Sequence, residues 1–184
     1  MLGLWIYSAF NYYVIGYYVK YFPGDIFVNF LTMTIAEVIS PIVLRIIQKY
    51  WITKYVYKYL LIMCCIISLG FMANQRWGSA TYIPALILGI RICVKGIYSL
   101  GYFANGTLFP TLVKTSIFSL TNGVGRPFSA LATMVVEYTK HPGEIFLGTS
   151  LLFLGTCHLM PDSDHTEQEL EKIQESTRRL KEAQ

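Results

Sequence analysis

The chain has 184 residues, of which 54% are apolar and only 14% are charged, and its mean hydropathy is +0.45. A soluble globular domain carries about 25% charged residues, so this composition excludes an ordinary soluble enzyme and favours a membrane protein. The net charge of +4 divides into +7 for residues 1–160, which have eleven Lys and Arg against four Asp and Glu, and −3 for the acidic tail.

Six apolar runs predict an all-α, polytopic membrane protein whose transmembrane domain is residues 1–160. We interpret the first run as a span and not as a signal peptide, because no basic segment precedes it. The second run covers roughly 33 Å at 1.5 Å per residue, enough to cross the hydrocarbon core. In chain order the runs are Leu4–Val19, Ile26–Ile47, Tyr57–Ala73, Tyr82–Phe109, Ser116–Tyr138 and Glu144–Met160.

The segments between the runs contain turn-forming and interfacial residues. Pro23 and Gly24 end the first helix, and a basic aromatic connector at 48–54 suits the membrane interface. Within the runs we expect breaks or bends near Pro41 and Pro127, the latter in the glycine-rich stretch 122–127 that interrupts the fifth run. Small residues of this kind permit close helix approach.

The polar tail, residues 161–184, has four residues at helical spacing among its charges: Leu170, Ile173, Thr177 and Leu180. The spacing predicts a short helix outside the membrane, either with an apolar stripe for a partner or simply solvated. An even number of spans places both termini on one side. The positive-inside rule favours the cytoplasmic side or its organellar equivalent, and the membrane is either organellar, such as the mitochondrial inner membrane, or the plasma membrane.

The composition also bears on the binding and catalytic sites that the chain can have. The basic residues lie between apolar runs, which favours lipid headgroups over nucleic acid as their partner. The chain has no phosphate-binding glycine loop and no nucleophile triad, so we predict that it is not an enzyme. We also predict no cofactor and no metal site, because the cysteines lie in apolar runs without ligand spacing: Cys64, Cys65, Cys93 and Cys157.

Charged residues inside the predicted spans are candidates for function, because each costs about 2.5–3.5 kcal/mol at a helix centre. They are Glu37, Arg91, Lys95 and Arg126. Arg91 and Lys95 share one helix face, being four residues apart, and this face would attract an anionic substrate or a carboxylate. Either Glu37 pairs internally with a basic residue, or the charges are idle remnants of a cavity.

Aromatic residues offer a second set of candidates for a binding cavity. Five tyrosines are placed to form a wall that would bind an organic cation through ring faces. They are Tyr12, Tyr13, Tyr17, Tyr98 and Tyr102. Interfacial belts and helix packing are the alternative explanation for so many aromatic side chains.

The segment from Tyr98 to Lys114 contains Tyr-x-x-x-Tyr followed by Pro110, Thr111 and Lys114. It resembles the tenth helix of organic cation and anion carriers of the major facilitator superfamily. Further likenesses follow in the same order: Arg126 stands where those carriers have a basic residue in the eleventh helix, and Met160-Pro161-Asp162-Ser163 is similar to Leu-Pro-Glu-Thr at the end of the twelfth.

The resemblance covers the C-terminal six-helix half of such a carrier, and Glu37 to Pro41 loosely matches its eighth helix. It implies half of a major facilitator fold, with a substrate site between two halves. The sequence departs from the pattern at Thr107, which stands where the family has glutamate, and at Lys114, which replaces arginine. The connector lacks the Asp-Arg-x-Gly-Arg-Arg gating motif.

Two functions therefore remain in view. The chain is either a degenerate half-carrier retained as a structural accessory subunit of a larger membrane complex, or a half-transporter that moves an organic ion after pairing with itself or a separate N-terminal half. A fragment of a longer gene product is a third origin. In each case we expect the bilayer, and membrane subunits or a second transporter half, as partners.

Overall fold

The computed structural model describes residues 2–51, 53–77, 80–108, 111–139 and 142–157. Within these ranges the chain is all-α, with six α-helices and no strand. The helices are α1 (Leu2–Tyr18), α2 (Ile26–Tyr50), α3 (Thr53–Trp77), α4 (Ile83–Leu108), α5 (Thr111–Tyr138) and α6 (Pro142–Cys157). The predicted tail helix lies outside the described residues.

Local sequence explains where the helices begin and end. A short 3-10 turn, Val19–Tyr21, follows α1, and Gly24 then takes a positive φ of 110° that reverses the chain. Asp25 caps α2, because its carboxylate accepts a hydrogen bond from the backbone N–H of Phe27 at 2.9 Å. Pro84 occupies the first turn of α4, where its missing N–H has no intrahelical acceptor to lose.

Two predicted boundaries are wrong. The connector at 48–54 is largely helical, since α2 continues to Tyr50 and α3 already begins at Thr53. The fifth helix begins at Thr111 and not at Ser116. Both errors have one physical reason: lysine, tyrosine and threonine mark a change in hydropathy, but none of them stops a helix.

Both internal prolines lie within continuous helices. α2 runs through Pro41, and α5 runs through the glycine-rich stretch 122–127 and Pro127. Of the predicted breaks or bends at these prolines, a break is therefore wrong, whereas a bend stays a prediction. A proline removes one backbone hydrogen bond, whereas a full break in an apolar environment would leave further groups unsatisfied at several kcal/mol each.

Among the described residues, three helices are long and apolar enough to cross a membrane. They are Ile26–Tyr50, Thr53–Asn74 and Ile83–Gly106, and each contains an apolar window of 18 residues with at most two charged side chains. α1 and α6 are shorter, with 17 and 16 residues, and the 28 residues of α5 include charged and polar side chains. The length and composition of α2, α3 and α4 thus indicate a membrane-embedded protein.

The helices pack in a pattern that repeats within the chain. α1 and α4 lie at the centre and contact each other; α4 also packs against α2 and α3, and α1 packs against α5 and α6. α3 and α6 complete the set by packing together. If α1 is exchanged with α4, α2 with α5 and α3 with α6, the same pairs of helices remain in contact. The first three helices and the last three are therefore arranged alike.

The apolar core lies between α1, α3 and α4. Its fully buried side chains include Val14, Leu61, Ile87 and Leu100. One buried polar pair crosses it: Tyr7 Oη lies 2.8 Å from Ser150 Oγ and so ties α1 to α6.

The outer side of α2 is, by contrast, apolar and uncovered. Phe27, Val38 and Ile42 are 71%, 64% and 58% exposed, and only four side chains of the helix are buried. Such a surface would be unstable in water and suits contact with lipid or with other membrane helices.

Candidate functional site: a charged and aromatic cluster on three helices

The centre of the site is an ion pair between α2 and α4. Arg91 Nη2 donates to Glu37 Oε1 at 2.5 Å, and the Arg91 side chain is only 3% exposed. Helix positions alone do not specify this contact, since the two residues are 54 apart in the chain. The predicted internal pairing of Glu37 with a basic residue is confirmed.

Tyr12 brings α1 into the same site in three ways. Its backbone carbonyl accepts a hydrogen bond from Arg91 Nη1 at 2.6 Å, and its hydroxyl donates to Glu37 Oε1 at 2.6 Å. The Arg91 guanidinium carbon also lies 3.8 Å from the centre of the Tyr12 ring. A charge-assisted hydrogen bond is stronger than a neutral one, so these contacts link α1, α2 and α4 firmly.

Lys95 supplies a second cation one helical turn from Arg91. Its Nζ lies 4.0 Å from Glu37 Oε2 and over the rings of Tyr12 and Tyr98, at 5.2 and 5.8 Å. The Lys95 side chain is 24% exposed. The cluster of Glu37, Arg91 and Lys95 therefore carries one negative and two positive charges, and its excess positive charge is accessible at Lys95.

An aromatic strip extends from this cluster along α1 and α4. Tyr12 stacks on Tyr98 at 5.8 Å, and the Tyr98 and Tyr102 hydroxyls lie 2.9 Å apart. Trp5 contacts the Tyr98 and Tyr102 rings at 5.3 and 4.7 Å, and Phe118 of α5 closes the end of the strip at 5.7 Å from Trp5. Together with Lys95 these rings form one polar and aromatic face, called here the inner face.

The exposed fractions of three tyrosines show that the inner face is open. Tyr13 and Tyr17 stack on one another and are 45% and 40% exposed, and Tyr102 is 42% exposed. The face is therefore a single wall and not an enclosed cavity. Chemically, a cation held over tyrosine rings can attract a carboxylate, a phosphate or another anionic group.

The structure thus brings together six of the predicted candidate residues: Tyr12, Glu37, Arg91, Lys95, Tyr98 and Tyr102. No hydrogen bond, ion pair or ring contact among the described residues joins Arg126 to them, and its side chain is exposed on α5. Lys114 contacts the carbonyl of Gly106 at 3.4 Å at the α4–α5 junction.

The structure describes little of the remaining motif residues. Pro110, Pro161 and Asp162 lie outside the described residues, and Thr111 is described only as the first residue of α5. Among the described residues no group of three or more His, Cys, Asp or Glu side chains could hold a metal ion.

Two residues that matter in the structure were not predicted from the sequence. Trp5 lies at the centre of the aromatic strip, and its spacing of seven from Tyr12 was the available signal for a shared helix face. Arg45, near the end of α2, is a further cation within an apolar run, and its side chain is exposed.

Comparison with known proteins adds no family. No family model matches the sequence, and no curated protein is similar enough to count as a relative. The resemblance to major facilitator carriers therefore rests on the residues of this chain alone.

Proposed function

We propose that this chain is a degenerate half of a major facilitator-type organic solute carrier that serves as a structural accessory subunit of a larger membrane complex. The observation that carries the proposal is the state of Arg91. A carrier needs its intramembrane charges free to meet substrate or to exchange partners. Arg91 is instead almost fully buried and bound to both Glu37 and the Tyr12 carbonyl.

The helix arrangement supports the half-carrier architecture. Each six-helix half of a major facilitator carrier is built from two three-helix repeats of inverted topology. The pattern of neighbours in this chain has the same two-set form. In the proposed topology all six helices cross the bilayer, with the short α1 and α6 accommodated by local thinning and interfacial side chains. Three helices per set would then invert the second set relative to the first.

The inner face supports a partner made of membrane helices. Lys95 and the hydroxyls of Tyr98 and Tyr102 would be costly to leave against acyl chains. In a complete carrier the other half covers this face, and in the proposed assembly another subunit does so. An acidic or hydrogen-bond-accepting side chain of that subunit would balance the excess positive charge at Lys95.

Native purification tests this proposal. The tagged chain, extracted in a mild detergent, is expected to co-purify with several membrane subunits identified by mass spectrometry. A photo-crosslinking residue at Tyr102, on the inner face, should join the chain to one of them. The same residue at Leu69, exposed on α3, is the matched control and should capture lipid or detergent.

A half-transporter is the second candidate, and Lys95 favours it, because an accessible cation over two tyrosine rings would suit an organic anion. We expect the purified chain in liposomes to move no organic cation or anion above empty liposomes. Lys95→Met and Arg126→Ala should change assembly or stability instead of a rate. Saturable uptake, lost in Lys95→Met while the protein stays in the membrane, would replace the structural proposal with this one.

A further inference from the structure

A groove of about 760 Å³ lies between the C-terminal part of α2 and α4. Its walls are apolar over most of their length, with Ile42 and Phe103 among them. Three polar side chains of α2 line one end: Arg45, Gln48 and Lys49. Ser99 of α4 faces them across the groove.

The polar end of the groove lies close to a membrane interface. Arg45 precedes the last residue of α2, Tyr50, by five positions, or about 7.5 Å at 1.5 Å per residue. Tyr50 and Trp51 are 73% and 59% exposed, as expected for side chains at the headgroup level. From this depth the long arginine side chain reaches the interface.

The polar groups at this end have no anionic partner in the described part of the chain, although the Lys49 ammonium lies over the Tyr50 ring at 5.8 Å. Arg45 and Lys49 form no ion pair with any residue that the structure describes, and no acidic side chain lines the groove. The amide nitrogen of Gln48 is buried without a hydrogen-bond acceptor in the same part of the chain. Two cations and one amide donor therefore line the same groove, and each can donate to a negatively charged oxygen.

We propose that this groove binds an anionic phospholipid, with the headgroup phosphate at Arg45, Lys49 and Gln48 and an acyl chain along Ile42 and Phe103. Basic pockets between membrane helices have this recognition chemistry. The apolar walls select the lipid over a soluble phosphate compound, because only a lipid buries a hydrocarbon chain beside the cations. The site is distinct from the inner face and does not depend on the function proposed above.

Native mass spectrometry of the purified full chain tests the proposal. Phosphatidylglycerol and phosphatidylcholine with the same acyl chains are added separately, and the bound fraction is measured for each. The wild-type chain should prefer phosphatidylglycerol. Because each cation near a lipid surface contributes about 1 kcal/mol, Arg45→Gln should weaken phosphatidylglycerol binding about fivefold, and Arg45→Gln with Lys49→Gln about 25-fold.

Three controls separate a built site from surface charge. Lys58→Gln removes an equally exposed cation of α3, outside the groove, and should leave binding unchanged. Ser99→Trp keeps every charge but fills the groove, and should abolish the preference for phosphatidylglycerol. Inorganic phosphate in excess should not displace the lipid, and circular dichroism confirms that each variant keeps its helices.

Any of three results would overturn the proposal. Equal loss in Lys58→Gln would show attraction to the basic surface as a whole. Unchanged binding in Ser99→Trp would place the lipid outside the groove. Displacement by inorganic phosphate would identify the occupant as a soluble anion.

Discussion

Arg91 is a permanent cation held among helices at 3% exposure, and its only carboxylate partner in the described structure is Glu37. Removing one member of a buried ion pair leaves the other charge uncompensated, at a cost of about 3–5 kcal/mol. We therefore expect Glu37→Gln to lower the free energy of unfolding by an amount near the lower end of this range, since glutamine retains one acceptor. Denaturant unfolding in detergent micelles, followed by circular dichroism, measures it.

Glu137→Gln is the matched control, because Glu137 is a solvent-exposed acid on α5 away from the cluster. A surface substitution of this kind changes stability by about 0.5 kcal/mol or less. Equal effects of the two substitutions would mean that the ion pair contributes nothing particular to the fold.

The same pair yields a second expectation at the residue scale. Replacing a whole buried ion pair by apolar residues of similar volume is often neutral, unlike breaking it. The double variant Glu37→Met with Arg91→Met should therefore be more stable than Glu37→Met alone. The double-mutant cycle measures the coupling between the two side chains, and additive losses would contradict a direct interaction.

At the scale of elements, α1 approaches α4 and α5 through Trp5 and two glycines. A Cβ added at Gly101 would lie 2.9 Å from the Trp5 ring, and one added at Gly125 would lie 3.0 Å from it. Trp5 is 5% exposed and packed against other rings, so it has little freedom to move. Gly101→Ala should lower the free energy of unfolding by about 1–3 kcal/mol through overpacking.

Gly123 provides the comparison within the same glycine-rich stretch as Gly125. No described atom lies within 4 Å of a Cβ added there, so Gly123→Ala should gain helix propensity, worth up to about 1 kcal/mol, without a clash. Thermal unfolding of the two alanine variants in one detergent compares them directly. A Gly101→Ala variant as stable as Gly123→Ala would show that the helices can separate at no cost.

At the scale of the whole molecule, the proposed topology predicts which loops share a side of the membrane. Single cysteines at Asp25 and Tyr138 should react from one side, and a cysteine at Tyr50 from the other, in a background where the four native cysteines are alanine. Membrane-impermeant maleimide applied to sealed, oriented vesicles reports the side. The physical reason is that α2, α3, α4 and α5 must each cross to connect these positions.

The position of Tyr138 is the decisive one, because α5 is less apolar than α2, α3 and α4. Labelling of the Tyr138 cysteine together with the Tyr50 cysteine would show that α5 lies along the interface. A protein with six spans would then be excluded, and with it the half-carrier architecture. Labelling that appears only after vesicle lysis shows that an unreactive cysteine was shielded by the membrane and not by the protein.

The sequence by itself determined the class of fold. Long apolar runs cannot remain in water, and proline, glycine and an N-capping aspartate act on their immediate neighbours, so the helices and the turn at Pro23 to Asp25 follow from local residues. The shared face of Arg91 and Lys95 also follows, because a spacing of four residues specifies a direction on any α-helix. The helix ends at 48–54 and the continuity of α5 through Pro127 could not be predicted from the sequence. The backbone hydrogen bonds of neighbouring residues decide whether a helix continues there.

Only the tertiary structure decided which partners meet across helices. Glu37 pairs with Arg91 and not with Arg126 among the described residues, and Trp5 fits against Gly101 and Gly125 while Gly123 faces no neighbour. Nothing local distinguishes these residues, because each lies on an apolar helix with similar surroundings in the sequence. The choice depends on the rotation and register of helices far apart in the chain, and those are set by the packing of many side chains at once.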